Sequence, residues 1–303
     1  MMPISIQSQD PSWHASLRPR YRRILEVCRP FLVTYRGNLP HLDSAPFGLA
    51  ISPELCFDPT ERRSLSFIDG LQALDKATFG HVGMPMPRWV LFDCADLPGI
   101  VFGFARRAGD LPLRAREVYS APPDAMVPLS MWIAIPSAEP GTWVAHNLAS
   151  ANAELVGDEL PGLASLTKAL GIRVARATKQ VGVTQWSSPS VRIHLTFGEL
   201  RLLSAWTPAH SFAASFTYCI DVMEERLLAS FAEGYQPPSE PFDREIDPAD
   251  AAALIALQDE IEAGAEYAIV GLAPGGSPSA PRRARVRRLV QGSRTSVPNA
   301  SGT

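Results

Sequence analysis

The sequence predicts an α/β fold: a mixed, mostly antiparallel central sheet flanked by helices, followed by a disordered C-terminal tail. Three observations carry that reading. Apolar runs such as Ile100–Ala105 and Val127–Ile135 have the length of strands. Two segments, 64–79 and 163–178, repeat their apolar residues at helical spacing. Strand-like runs are joined by tight turns, which makes those neighbours antiparallel. The chain has 303 residues, 46% apolar and 19% charged, enough for one large domain or two small ones around a real core.

Residues 1–64 read as an N-terminal extension. A polar lead-in precedes a short basic helix, Arg18–Val27, and Phe31–Tyr35 is β-branched and aromatic, hence a strand. Gly37, Asn38 and Pro40 end it. Residues 65–232 are expected to form the main domain. The helix over 64–79 places Leu65, Ile68, Leu71, Gln72 and Leu74 near one face. Trp89–Cys94 and Ile100–Ala105 read as a hairpin about the turn Ala95–Gly99. Arg106–Asp124, charged and rich in Pro, reads as an exposed loop. Val127–Ile135 and Thr142–Ser150 are strands joined at Pro136–Gly141, and 151–161 is a polar loop.

Leu163, Leu166, Leu170, Val174 and Ala177 make the apolar stripe of the next helix. A strand over Gln180–Gln185 and a helix from Ser187-Ser188-Pro189 to about Phe197 follow. Leu200–Trp206 and Phe212–Val222 complete the strands, with a short helix within 224–232. Residues 233–303 read as a Pro/Ala/Arg-rich tail, mostly disordered, holding a helix near 251–263 and a brief strand near 267–270.

Charge and cysteines exclude several classes. The 28 basic and 31 acidic residues give −3, too little to drive nucleic-acid binding by a global field. Arg282, Arg283, Arg285, Arg287 and Arg288 cluster in the tail, either as a solvated segment or as a weak site for RNA or acidic lipid. Cys28, Cys56, Cys94 and Cys219 have neither CxxC nor zinc spacing, so they are expected to be reduced thiols in a cytoplasmic protein. No secretory leader is visible, and no apolar run reaches the ~20 residues of a membrane span. His81 and His210 lack acidic partners at metal-binding spacing, so no metal is expected. Cys94 follows Asp93 at a turn with no base nearby and reads as structural. Trp89, Trp132, Trp143, Trp186 and Trp206 are expected in the core, or along an apolar channel.

Three stretches carry more. Asp93–Ala105 ends a strand in Val-Phe-Gly-Phe-Ala. The strand Thr142–Ser150 leads to Glu159-x-x-Gly162-x-Ala164 at a helix start. Ser187-x-x-Ser190-x-x-x-His194-x-x-x-Gly198 lies on the following helix. In this order and spacing, residues 65–222 resemble the GNAT superfamily of acyl-CoA-dependent N-acyltransferases. The resemblance implies a GNAT-like sheet and transfer of an acyl group from acyl-CoA or acetyl-CoA, a substrate, to an amine by direct attack. It implies that Leu148, Ser150, Gly162, Ala164 and Ser165 lie along the thioester substrate, the last three at a helix N-terminus that favours anions. His146, or a water it holds, is the implied general base, and His194, where members of the family carry Tyr, the implied acid for the leaving thiolate.

Other readings stand beside these. Strand alternation puts His146 on one face with Val144 and Leu148, opposite Asn147, so a packed core histidine fits the same residues. Asn147 and Asn152 either orient ligand amides or cap loops. Glu159 replaces the family's Gln or Arg and would repel phosphate if it pointed inward. The alternative function is therefore a non-catalytic acyltransferase-like domain that binds a ligand or a protein.

Overall fold

The computed structural model describes residues 11–289 except 81–82, 84, 97, 152, 157–159, 211, 237–238 and 275–281. Glu159, Asn152 and His81 therefore lie outside the described residues. The chain is α/β with a mostly antiparallel, mixed sheet, and it divides into two compact units. The first holds residues 1–182, 196–198 and 220–237, and the second holds the rest. These divisions do not fall at 64 and 232.

The first unit begins with α1 (Pro11–Ser16), α2 (Pro19–Val27), β1 (Arg29–Val33) and β2 (Cys56–Phe57). It continues with α3 (Leu65–Phe79), α4 (Arg88–Asp96), β3 (Ile100–Arg107), α5 (Leu113–Tyr119), β4 (Met126–Pro128), β5 (Ser130–Pro136) and β6 (Thr142–Ser150). α6 (Ala153–Val156), α7 (Leu163–Val174), β7 (Lys179–Gln185) as far as Gly182, and α9 (Glu224–Ala229) complete it. Its strands run β2-β1-β3-β5-β6-β7, with β4 also on β3. β1–β3, β3–β5 and β5–β6 are antiparallel, whereas β1–β2 and β6–β7 are parallel. β1 thus lies inside the sheet, and its Phe31, Leu32 and Val33 are buried.

α7 packs on this sheet with Leu166, Leu170 and Val174 buried, as its stripe predicts. Gly171 lets the Trp132 ring of β5 approach, since a Cβ there would stand 2.3 Å from the indole. A buried hydroxyl pair, Ser130 Oγ to Thr167 Oγ1 at 2.6 Å, ties β5 to the same helix. Ser130 Oγ also accepts the Phe104 N–H at 3.1 Å. That bond mends the ladder where the run expected over Val127–Ile135 breaks into β4 and β5. Pro128 has no N–H to give at that point.

The structure corrects four expectations. Trp89–Cys94 is not a strand but part of α4, so the hairpin with Ile100–Ala105 does not exist. Leu91, Cys94 and Ala95 are buried at helical spacing, while Trp89 is 64% exposed and Phe92 also faces solvent. The run looked strand-like because two of its outward positions are aromatic. Arg106–Asp124 contains α5, anchored by buried Ala115 and Tyr119 one turn apart. On α3 the buried face is Phe67, Ile68, Leu71, Leu74 and Asp75, and Leu65 is exposed.

The fourth correction concerns the tail. The second unit holds the end of β7, α8 (Ser190–Leu195), β8 (Leu200–Ser204) and β9 (Ser215–Asp221) through Cys219. It also holds β10 (Arg244–Ile246), α10 (Ala251–Glu262), β11 (Glu266–Leu272) and β12 (Ala284–Leu289). Residues 284–289, expected to be disordered, pair with both β10 and β11. Ala284 and Val286 point into the core with Arg285 between them and Arg287 after them, a period of two. Arg285 pairs with Glu245 at 3.2 Å, and Arg287 with Glu199 at 2.6 Å and Glu240 at 3.4 Å. The arginine cluster is thus largely engaged with acids of its own unit.

Candidate functional site

The site is built on β6. Its ladder with β5 shifts register between Ile133 and Ala134: Ile133 stands opposite Asn147 and Ala134 opposite Ala145. His146 is therefore the extra residue of a β-bulge, left outside the pairing. On its other edge β6 pairs with β7 from Thr142 to Ala145, and the ladder stops there. From His146 to Ser150, β6 has β5 as its strand partner among the described residues.

The bulge also overturns the expected alternation. Asn147 Nδ2 donates to Asp75 Oδ1 on α3 at 3.0 Å, and the Asp75 carboxylate acts on His146 as well. Asn147 thus serves the α3 face, and His146 beside it in sequence feels the Asp75 charge. Leu148 stands opposite Trp132, whose ring packs on α7. A one-residue insertion flips every later side chain, and period-two patterning cannot reveal it.

The electrostatics suit a base. The His146 side chain still reaches solvent, but partial burial of its ring holds the imidazole below its ordinary value of 6.5, with Asp75 acting the other way. Asp75 is wholly buried. Burial raises its carboxyl above the usual range against the pull of the Met86 N–H, the Asn147 amide and His146. Sequence reasoning missed Asp75. The available signal was its place four residues after Leu71 and seven after Ile68, in the apolar stripe of α3.

Leu148 and Ser150 are half-buried on β6. Gly162 caps α7 with φ 91°, a left-handed conformation that favours glycine. A Cβ there would stand 2.7 Å from the Tyr21 ring of α2, so the space over Gly162 is taken by an aromatic side chain of this unit. Ala164 and Ser165 are half-buried in the first turn of α7, where backbone N–H groups have no helical acceptor. Arg20 Nη2 donates to the Tyr21 hydroxyl at 2.8 Å.

His194 belongs to the second unit. It is 6% exposed on α8, its ring centroid 4.8 Å from that of Tyr218. Cys28 and Cys94 are buried, and desolvation pushes the Cys28 thiol up to about 12 and raises Cys94, which makes both poor nucleophiles. No group of three or more His, Cys, Asp or Glu that could hold a metal occurs among the described residues. No helix among them is long and apolar enough to cross a membrane.

From β1 to β9 the elements follow the order read from the sequence, except that α4 stands where the first strand of a hairpin was expected. The fold is α/β, a mostly antiparallel mixed sheet flanked by helices. No protein-family model matches the chain, and no curated protein matches it in sequence. Among solved structures it is similar to an aminoglycoside 6′-acetyltransferase type Ii at 10% identity, over 54% of this chain and 94% of that one, TM-score 0.37. It is also similar to the NatC complex bound to Gag peptide and CoA at 10% identity, over 55% and 96%, TM-score 0.36.

Proposed function

We propose that this chain transfers an acyl group from acyl-CoA or acetyl-CoA to an amine by direct attack. The observation that carries the reading is the β6 bulge. It sets a solvent-reaching histidine, held neutral by its surroundings, at the start of a strand edge that β7 leaves unpaired. An unpaired strand edge binds an extended amide-bearing arm by backbone hydrogen bonds, and Leu148 and Ser150 lie on it. The first-turn N–H groups at Ala164 and Ser165 suit a phosphate group.

In this mechanism the neutral His146 imidazole, or a water it holds, takes a proton from the amine as nitrogen attacks the thioester carbonyl. In this reading a backbone N–H at the bulge serves as donor for the oxyanion that develops. His194 is our proposal for protonating the leaving thiolate, on the motif resemblance alone.

One observation favours the alternative of a non-catalytic binding domain: Tyr21 fills the space that the missing Cβ of Gly162 leaves. The two readings separate in one assay. Acyl transfer predicts thiol release from acetyl-CoA in the presence of amines, lost by about a hundredfold or more in His146→Ala. A binding domain predicts no thiol release and no effect of that variant.

A further inference from the structure

Helix α2 takes no part in the mechanism above, yet it carries the densest charge of the first unit. Residues 18–29 hold Arg18, Arg20, Arg22, Arg23 and Arg29 against one acid, Glu26, in a chain whose net charge is −3. Arg18 is engaged within the unit, donating to the carbonyl oxygens of Ala232 at 3.0 Å and Tyr235 at 2.6 Å. α2 buries Tyr21 and Ile24 and leaves Arg20, Arg22 and Arg23 exposed. The Arg23–Glu26 pair is long, at 3.7 Å, with both side chains more than half exposed, so it neutralises little. Arg29 at the start of β1 is exposed as well. The charges of Arg106, Arg29 and Arg23 all act on the Cys28 thiol, which places β3, β1 and α2 around one positive face.

This face adjoins the first turn of α7. The Tyr21 ring lies over Gly162, and Arg20 Nη2 donates to the Tyr21 hydroxyl at 2.8 Å. The ring denies a ligand close approach to the backbone at Gly162. Anion contact is thereby confined to the N–H groups at Ala164 and Ser165, which suits one phosphate better than the diphosphate of CoA. Phosphopantetheine is the same thioester arm with one phosphate, and it also occurs as a phosphodiester on a serine of small acidic carrier proteins.

We propose that the exposed arginines of α2 dock an acidic carrier protein, and that its acylated phosphopantetheine is the preferred thioester donor of this chain. The proposal rests on the acyl-transfer reading. The amine nitrogen bonds to the acyl carbon and gives up one proton. The C–S bond breaks with its electron pair on sulfur, and the thiolate takes up a proton, so the carrier leaves with a free thiol. A carrier meets the chain twice, with its acidic surface on α2 and its arm at α7, and two linked contacts bind far better than either alone. An anionic lipid surface fits this face less well, because the apolar side of α2 is already buried in the unit. RNA calls for a broader positive field than a chain of net charge −3 supplies.

The test uses the full chain with acetyl-CoA, acetyl-phosphopantetheine, and a small acidic acyl carrier protein in apo and acetyl-phosphopantetheine-loaded forms. Thermal melting reads the small thioesters, and fluorescence anisotropy of labelled carrier reads docking. The loaded carrier is expected to bind at least about a hundredfold more tightly than acetyl-phosphopantetheine. Its affinity should fall by about tenfold or more between about 0.05 M and about 0.5 M salt. Arg22→Glu combined with Arg23→Glu, two exposed positions, should weaken the carrier by about a hundredfold and leave the melting shift of acetyl-phosphopantetheine unchanged.

A loaded carrier that binds no better than acetyl-phosphopantetheine, or that the double charge reversal leaves unaffected, overturns the docking face. An apo carrier that binds as tightly as the loaded one overturns entry of the arm. Acetyl-CoA binding about tenfold tighter than acetyl-phosphopantetheine overturns the preference for a single phosphate. Binding to phosphatidylserine vesicles or to RNA without binding to the loaded carrier overturns the choice of partner. A wild type whose melting neither small thioester moves instead overturns the acyl-transfer reading, which keeps the two failures apart.

Discussion

At the scale of single residues, His146 and Gly162 make the sharpest predictions. The folded-state pKa of His146 lies below its ordinary 6.5, so the unfolded chain binds more protons as pH falls through that value. Its contribution to stability is therefore complete above 6.5 and is lost as the solution is acidified. His146→Gln should make denaturant midpoints less sensitive to acid below 6.5, and an unchanged acid slope would remove the partial burial argued for the ring. The same shift keeps the base neutral, so the acid limb of acyl transfer should fall below 6.5. Gly162→Ala should cost about 1–2 kcal/mol for its left-handed backbone alone, and more because of the Tyr21 ring. Tyr21→Ala should relieve that second part in a double-mutant cycle, whereas strict additivity would show that the two do not touch. His146 was legible as a candidate because it lies on the strand just before the glycine-bearing loop, where the resemblance implies a base. Its neighbour relations were not, because a bulge leaves no trace in alternation. Asp75 looked like one more surface acid, since only the packing of α3 on β6 shows that its position is enclosed.

At the scale of elements, the hydroxyl of Ser130 replaces a strand hydrogen bond and holds α7. Ser130→Ala leaves the Phe104 N–H and the Thr167 hydroxyl without it, at a cost of about 1–3 kcal/mol. Chemical denaturation measures this, and a loss under about 0.5 kcal/mol, the range of ordinary surface changes, would contradict it. β12 makes a prediction of a different kind. Its amides at 284–289 should be protected from hydrogen exchange by β10 and β11, whereas a disordered tail would exchange them within the dead time. α7 was legible because its apolar period is clean, and β6 and β7 because each is a run of strand length. α4 and β12 were not, for opposite reasons. α4 exposes two aromatics that any reading of hydrophobicity places inside. β12 carries three arginines around its two core residues, so its composition is that of a solvated tail, and acids from distant segments make it a strand.

At the scale of the whole molecule, chain order carried the fold further than any motif did. Strand, helix, antiparallel strands, glycine-capped helix and the returning strands are in the sequence, because each is a local pattern, whereas α4 is not. The division into two compact units and the enclosure of Asp75 depend on which elements meet, which one sequence does not encode locally. The central claim is that the bulged edge of β6 and the first turn of α7 receive a CoA thioester, and thermal melting tests it most directly. Acetyl-CoA at about a hundred times its dissociation constant should stabilise the fold by about 2.7 kcal/mol, and CoA itself should also raise the melting temperature. Ser165→Glu, which sets a carboxylate in the first turn without the backbone conflict of any change at Gly162, should abolish both shifts. A melting temperature unmoved by either ligand in the wild-type chain would contradict the claim.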